Sequence, residues 1–277
     1  MDVALSRSGA WLLRGFFFLV VVFLYAPIVI LLIFSFNNSN IPAFPLNGFT
    51  LHWYHQFLTN PDLQGALENS AVIAALSSVG AVALGILASI ALVRHRFRGQ
   101  GPVSAFLLSP LVIPYLVFGI SLLLLFQAVG FPHAVGHWEP LSRVVIGHIV
   151  ISLPYTILVL MPRLLQIDVS LEEAAYDLGA SRMRTFRSVT LPLLLPAVVS
   201  AYLIAFTTSF DEYAVASFVK GTLQTFPIYL YAALRNPYQL PQVIAVAVVV
   251  ITVSLVVVVA AEVGRRVAER RLGAIEG

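Results

Sequence analysis

The sequence predicts an all-α membrane protein of about six transmembrane helices, and three observations carry that prediction. Of 277 residues, 59% are hydrophobic and only 10% charged, with a mean hydropathy of +0.92, whereas soluble domains carry about 25% charged residues. The apolar residues come in blocks long enough to cross a hydrocarbon core of about 30 Å, which takes roughly 20 helical residues. The basic residues sit beside those blocks and form no continuous face, so the net charge of +3 and the pI near 9.3 speak for membrane orientation and against nucleic acid. A length that would suggest two soluble domains here suggests one bundle, 1–277. With no cysteine, disulfides, thiolate metal sites and cysteine nucleophiles are excluded.

The first apolar block, 11–36, is led by Arg7 and Arg14. A cleaved signal peptide has a shorter core and a small-residue cleavage site, so this block reads as helix one. Residues 37–67 carry Asn37, Asn38, Pro42, Pro45, Trp53 and Tyr54 and no Lys or Arg, the composition of an outer loop. The second span, 70–93, stops at the basic turn Arg94-His95-Arg96-Phe97-Arg98-Gly99. The third, 103–126, contains Pro110 and Pro114. Each lacks a ladder donor, which predicts a kink whose freed carbonyls neighbouring helices satisfy. After an outer loop at 127–142, span four, 144–161, is interrupted by Pro154 and followed by the longest inner polar stretch, 163–190. Span five covers 193–219. A loop with Lys220 and Arg235 precedes span six, 243–261, which ends in Arg265, Arg266, Arg270 and Arg271.

Counting basic residues orients the bundle. All but Arg143, Lys220 and Arg235 fall in the N-terminus, the 94–98 turn, the 163–190 loop or the tail. The positive-inside rule therefore places both termini and the polar loop in the cytoplasm. The two halves show no repeat of the kind that marks many secondary transporters, which counts against a self-sufficient carrier.

Within the polar loop, Ser170-Leu171-Glu172-Glu173 has the Ser-x-x-Glu form of a capping box, which predicts a short helix starting there. Leu171, Ala174, Ala175 and Leu178 follow at helical spacing on one face, and Gly179 ends the helix in the left-handed conformation. A second short helix follows, with Met183, Phe186 and Thr190 on one side, and Leu191-Pro192 leads into span five. The product is a two-helix elbow across the inner face of the membrane. A connector packed only against its own bundle or the headgroups has the same pattern, and spacing alone does not choose between them.

Glu173-Ala174-Ala175, then Gly179, then Val189-x-Leu191-Pro192 resembles the EAA loop of bacterial ABC-importer permeases, the MetI-like family. Val189 stands where that family more often has isoleucine, a conservative departure. The resemblance covers nearly the whole chain, five core helices from span two onward with an extra N-terminal helix. It implies that residues 172–187 form coupling helices docking on an ATP-binding subunit, through Glu172, Glu173, Ala174, Ala175, Asp177, Gly179, Ala180, Arg182 and Phe186. It further implies two ATP-binding subunits that hold ATP and Mg, a second homologous permease, an extracytoplasmic solute-binding protein and a place in the bacterial inner membrane. No cofactor is expected in this chain itself. The single lysine, Lys220, lies between Val219 and Gly221-Thr222, so no Gly-x-x-x-x-Gly-Lys-Ser/Thr loop exists. Energy comes from another polypeptide or, in a rival reading, from an ion gradient.

Ionisable side chains inside a bilayer are costly and functional by default. Asp211 and Glu212 follow Thr207-Thr208-Ser209-Phe210 in span five, about 27 Å along a helix starting near Leu193 at 1.5 Å per residue. They either cap or line a wet helix end, or one of them, Asp211 foremost, faces the translocation pathway and balances a cationic solute. Ser209-Phe210-Asp211-Glu212-Tyr213, with Gly221 and Pro227-Ile228-Tyr229-Leu230, is most similar to the spermidine/putrescine branch of these permeases, the PotC type. That similarity implies a polyamine solute, with ferric ion, thiamine, phosphonate and opine permeases as related alternatives. Opposite charge lowers the cost of desolvating an oligoamine. Phe206, Phe210, Tyr213 and Tyr155 offer cation–π contacts of roughly 0.5 to 2 kcal/mol each, although packing and interface anchoring are the commoner roles of such rings. In a gradient-driven carrier, Asp211 or Glu212 would instead be the coupling acid. His133 with His137, and His52 with His55, sit in no His-Glu-x-x-His frame and lack a third ligand nearby, so no metal site is expected. No Gly-x-Ser-x-Gly elbow or other nucleophile setting exists, so catalysis is not expected.

Overall fold

In lipid, a backbone can satisfy its own polar groups only by closing them into helices or a barrel, and this chain uses helices. The computed structural model describes residues 7–131 and 138–273. In chain order the helices are α1 (Arg7–Ser35), α2 (His52–Thr59), α3 (Pro61–Arg94), α4 (Gln100–Leu108), α5 (Tyr115–Ala128), α6 (Trp138–Gln166), α7 (Val169–Asp177), α8 (Arg182–Thr185), α9 (Leu191–Phe210), α10 (Ala214–Val219), α11 (Phe226–Ala233) and α12 (Leu240–Gly273). Five stretches are long and apolar enough to cross a membrane: Trp11–Ser35, Pro61–Arg94, Pro140–Gln166, Arg182–Phe210 and Leu240–Ala260. Helices α4 and α5 make a sixth when counted as one broken span.

Several boundaries differ from the sequence reading. The second span starts at Pro61, so the tail of the predicted outer loop is helical, as is its middle in α2. Proline in the first turn forfeits no hydrogen bond, and Asp62 beside it faces the positive end of the helix dipole. Around Pro110 and Pro114 the predicted kink is a full break: a 3-10 turn at Ser109–Leu111 ends α4, α5 begins after Pro114, and the halves meet at 106°. Pro154 does not interrupt span four, because α6 runs through it and through Pro162; Pro154 is buried among neighbours, where such a helix tolerates proline. Span five is not continuous to residue 219 but stops at Phe210, with Asp211, Glu212 and Tyr213 outside both α9 and α10. Span six is longer than predicted at both ends.

The chain divides into two compact units, one running up to Pro61 together with Ala232–Leu255, the other comprising Asp62–Tyr231 and residues from Val256 onward. In the first, the loop after α1 is pinned by side chains. The Trp53 indole N–H donates to the Asn37 carbonyl at 2.8 Å, Tyr54 Oη lies 2.7 Å from Ser35 Oγ, and an isolated bridge joins Asn37 to Phe49. In α1 the apolar window carries no buried side chain.

In the second unit, α3 buries a face of small residues, Ala74, Ser77, Ser78, Ala81, Gly85 and Ser89. Lipid tails are as apolar as leucine, so membrane helices associate by close packing, and small residues permit it. One cluster gathers Ile73, Val144, Ile151, Val215 and Val219, and another Val82, Leu160, Leu164, Leu194 and Ala201. Short α10 seats against α5 and α6. At Gly119 an added Cβ would lie 3.0 Å from Val215 Cα and 3.2 Å from the Ala214 carbonyl oxygen. Those are backbone atoms that cannot swing aside, so only glycine lets α5 approach α10 this closely.

Candidate functional site: the elbow and the α9–α10 break

The polar loop folds into two short helices, as its pattern predicts. The N-cap of α7 is Asp168, not Ser170: the Ser170 N–H donates to Asp168 Oδ1 at 2.9 Å, placing Ser170 inside the helix. A carboxylate at a helix N-terminus satisfies an orphan donor and meets the positive end of the dipole, which is why Asp168 outcompetes the serine two residues on. Accepting that amide hydrogen holds the Asp168 carboxyl below its ordinary value. At the far end Gly179 has φ +81, with its N–H bonded to the Tyr176 carbonyl at 2.8 Å and the Ala180 N–H to the Ala175 carbonyl at 3.0 Å. This is a Schellman stop. A Cβ here would meet nothing within 4 Å, so the requirement for glycine is one of dihedral angle alone. Ser181 caps α8 through the Arg184 N–H at 3.4 Å.

Side chains of the elbow sort into two sets. Leu171 and Leu178 face out, Leu178 at 89% exposure, and Glu173, Ala174, Asp177 and Arg182 are exposed with them. Ala175, Ala180 and Phe186 are half-buried. Glu172 points the other way: its Oε1 accepts from Arg94 Nη2 at 3.1 Å and Thr190 Oγ1 at 3.0 Å, and Arg94 also donates to the Ile167 carbonyl. Glu172 therefore ties the elbow to its own bundle. Met183, Phe186 and Thr190 do not share a side, since Met183 is exposed and Thr190 buried. The turn at Phe186–Thr190 is a π-helix, whose wider pitch breaks the 3.6-residue phase on which that expectation rested.

The acidic pair separates even more sharply. Glu212 is buried, and its two carboxylate oxygens accept the Val215 and Ala216 N–H groups at 2.8 and 2.9 Å, capping α10. His148 of α6, 1% exposed, brings Nε2 to 3.3 Å from Glu212 Oε2, an electrostatic contact not aligned as a hydrogen bond. On its other side, His148 Nδ1 is 2.7 Å from Ser209 Oγ, which lies 2.8 Å from Ser77 Oγ of α3. One buried polar chain thus joins α3, α6, α9 and α10. Asp211, next to Glu212, is exposed, and its carboxylate has no partner among the described residues. Of the two roles open to the acidic pair, Glu212 has the geometry of the capping one, each of its oxygens accepting a backbone N–H of α10.

Ser77 and His148 do not stand out in the sequence, and Ser209 enters it only as part of the Ser209–Tyr213 stretch. A signal for one of them existed, because His148 is the one histidine inside a predicted span, and an intramembrane ionisable group is a candidate by position alone. Of the predicted aromatic residues, Phe206 and Phe210 stack at 6.0 Å, continuing to Tyr202 at 6.2 Å and to Phe226 at 6.0 Å. Tyr213 pairs with Tyr231 at 4.8 Å, and Tyr155 Oη lies 3.0 Å from Tyr115 Oη. Among the described residues no three His, Asp or Glu side chains gather as a metal site. His133 and His137 lie outside the described residues, while His52 and His55 are exposed on α2.

Comparison with known proteins places these features. The family model described as "Binding-protein-dependent transport system inner membrane component" matches residues 81–269. The Spermidine/putrescine transport system permease protein PotC of Escherichia coli (strain K12) is 37% identical over 92% of this chain and 94% of its own. The Putrescine transport system permease protein PotI of the same strain is 37% identical over 87% of this chain and 84% of its own. Among solved structures, a chain of a bacterial ABC transporter that imports the acidic polysaccharide alginate superposes with a TM-score of 0.68, at 18% identity over 94% of this chain and 98% of that one. A chain of the MetNI methionine ABC transporter gives 0.59, at 19% identity over 75% and 96%. At those identities the superpositions speak for the fold alone. The family match over more than half the chain, together with relatives that are transport permeases and not enzymes, makes this all-helical, multi-pass chain a member of the family of binding-protein-dependent transport system inner membrane components.

Proposed function

We propose that this chain is one permease subunit of an ATP-driven, binding-protein-dependent importer of polyamines such as spermidine and putrescine. The observation that carries the reading is Asp211, an exposed carboxylate at the end of an apolar span with no partner among the described residues. A lone carboxylate there is costly unless something cationic meets it. The names of the relatives PotC and PotI support an oligoamine as that cation. Phe206 and Phe210, one turn apart on α9 and stacked on each other, put aromatic rings in the turns just before Asp211.

The elbow is the coupling surface. Its exposed Leu171 and Leu178 suit a groove on an ATP-binding subunit, and Glu172 with Arg94 carries the push into α3 and α9. The complex contains two such subunits, which hold ATP and Mg, a second homologous permease and an extracytoplasmic receptor. Both termini face the cytoplasm, on the side that carries most basic residues. ATP binding closes the two motor subunits, the elbow moves with them, and the helices rock to open a central site toward the receptor.

Co-purification and uptake test this together. An ATPase subunit should come down with the wild type, and Gly179→Trp or Glu173→Arg should lose it. Asp211→Asn should keep the assembly and lower spermidine uptake about tenfold, which corresponds to 1.4 kcal/mol. Uptake by the purified chain without any ATPase would overturn the coupling, and unchanged uptake by Asp211→Asn would overturn the role of that carboxylate.

A further inference from the structure

The break between α9 and α10 has no glycine and no proline to set its direction. Asp211 has φ −88 and ψ −1 and Tyr213 φ −106 and ψ −45, conformations open to almost any residue. The backbone bond from the Glu212 N–H back to the Ser209 carbonyl is long, at 3.4 Å. What fixes the break is therefore side-chain chemistry. Glu212 grips the start of α10, Ser209 is the next-to-last residue of α9, and His148 touches both, 3.3 Å from one and 2.7 Å from the other. Ser209 is held in turn by Ser77, whose hydroxyl also lies 2.7 Å from the Ile73 carbonyl.

Asp211 sits between the two gripped residues, so its Cα has little freedom once Ser209 and Glu212 are held. The geometry points to His148 as the positioning residue for solute recognition: its imidazole clamps both sides of the α9–α10 break and thereby sets where Asp211 presents its carboxylate. This rests on the reading of Asp211 as the cation-facing group. His148 is 1% exposed and does not touch solute; it acts through its neighbour. Loss of the clamp lets α10 and α9 reorient about the break, and the carboxylate then samples several directions instead of one.

The test uses the full complex in proteoliposomes, with receptor saturated by radiolabelled spermidine, and reads uptake and ATP hydrolysis side by side. His148→Leu is expected to lower uptake about tenfold while hydrolysis falls less than about twofold, so ATP used per spermidine rises. His148→Gln, whose amide supplies a donor and an acceptor, should return uptake to within about threefold of wild type. In an Asp211→Asn background, His148→Leu should add less than about twofold, because residues acting through one group are not additive. Uptake and hydrolysis falling in parallel, or an equal loss in both backgrounds, would reduce His148 to a packing residue. Should His148→Leu fail to assemble, Ser209→Ala removes one anchor of the imidazole with little change in volume and should raise the ATP cost per spermidine in the same direction; an unchanged ratio overturns the clamp. The two ideas fail separately. If Asp211→Asn lowers uptake and His148→Leu does not, the clamp alone is wrong, whereas unchanged uptake in Asp211→Asn removes the reading beneath it.

Discussion

Two of the places where this chain stops a helix and restarts it, the elbow and the α9–α10 break, do so by opposite means. At the elbow the backbone does the stopping: Gly179 turns left-handed, two reverse hydrogen bonds close α7, and the outer side chains stay free. Leu178 stands 89% exposed as a result. At the α9–α10 break no residue has positive φ, and a carboxylate does the stopping by capping the next helix from within the protein. There the polar atoms of Ser77, Ser209, His148 and Glu212 all turn inward, and only Asp211 is left outside. A glycine stop frees a surface for a partner. A side-chain stop uses up its polar groups but fixes the direction of the residue beside it.

The largest effect separating the two should come from Glu212→Ala, which strands two buried N–H groups and one face of His148. Each buried N–H left without an acceptor costs about 1 to 3 kcal/mol. A fall in unfolding temperature on the order of 10 °C is expected from tryptophan fluorescence in detergent, and a fall under about 3 °C would mean the break is not held by this carboxylate. Next comes Gly179→Val at the elbow, where empty space leaves only the left-handed backbone to object, at about 1 to 2 kcal/mol. Gly179→Asn should cost visibly less, because asparagine tolerates that region. Equal losses for the two would show that the site rejects side-chain bulk and not the dihedral angle.

Arg94→Met probes the tether between elbow and bundle. The Arg94 and Glu172 side chains are each 13% exposed, so the loss should be about 1 kcal/mol. The ATPase subunit should still co-purify while uptake drops, and loss of the subunit would place Glu172 in the docking surface itself. The smallest effect belongs to Asp168. Its folded pKa lies below the unfolded value of about 3.9, so the stability it confers is present above that value and fades as pH falls through the folded one. Asp168→Asn keeps a cap that does not titrate. The wild type should therefore lose more stability than the variant between pH 5 and pH 3, and parallel losses would remove Asp168 as the cap of α7.

Much of the fold was legible residue by residue, because a helix in lipid is made from hydrogen bonds within its own segment. Apolar runs marked every span, Pro110 and Pro114 marked the bend between α4 and α5, and Gly179 marked the end of α7. The same locality misled at Pro154, where a proline that would break an isolated helix is carried through by buried packing. It misled again at Met183 and Thr190, where a π turn shifts the phase that spacing assumes.

The sequence by itself determined where helices form and where the polar loop turns, since those depend on composition and on bonds a few residues apart. Tertiary structure alone decided which of two adjacent acids is exposed and which is enclosed. That choice depends on Ser77 and His148 arriving at Ser209 from 132 and 61 residues away, and no window of sequence contains the packing of helices that brings them there.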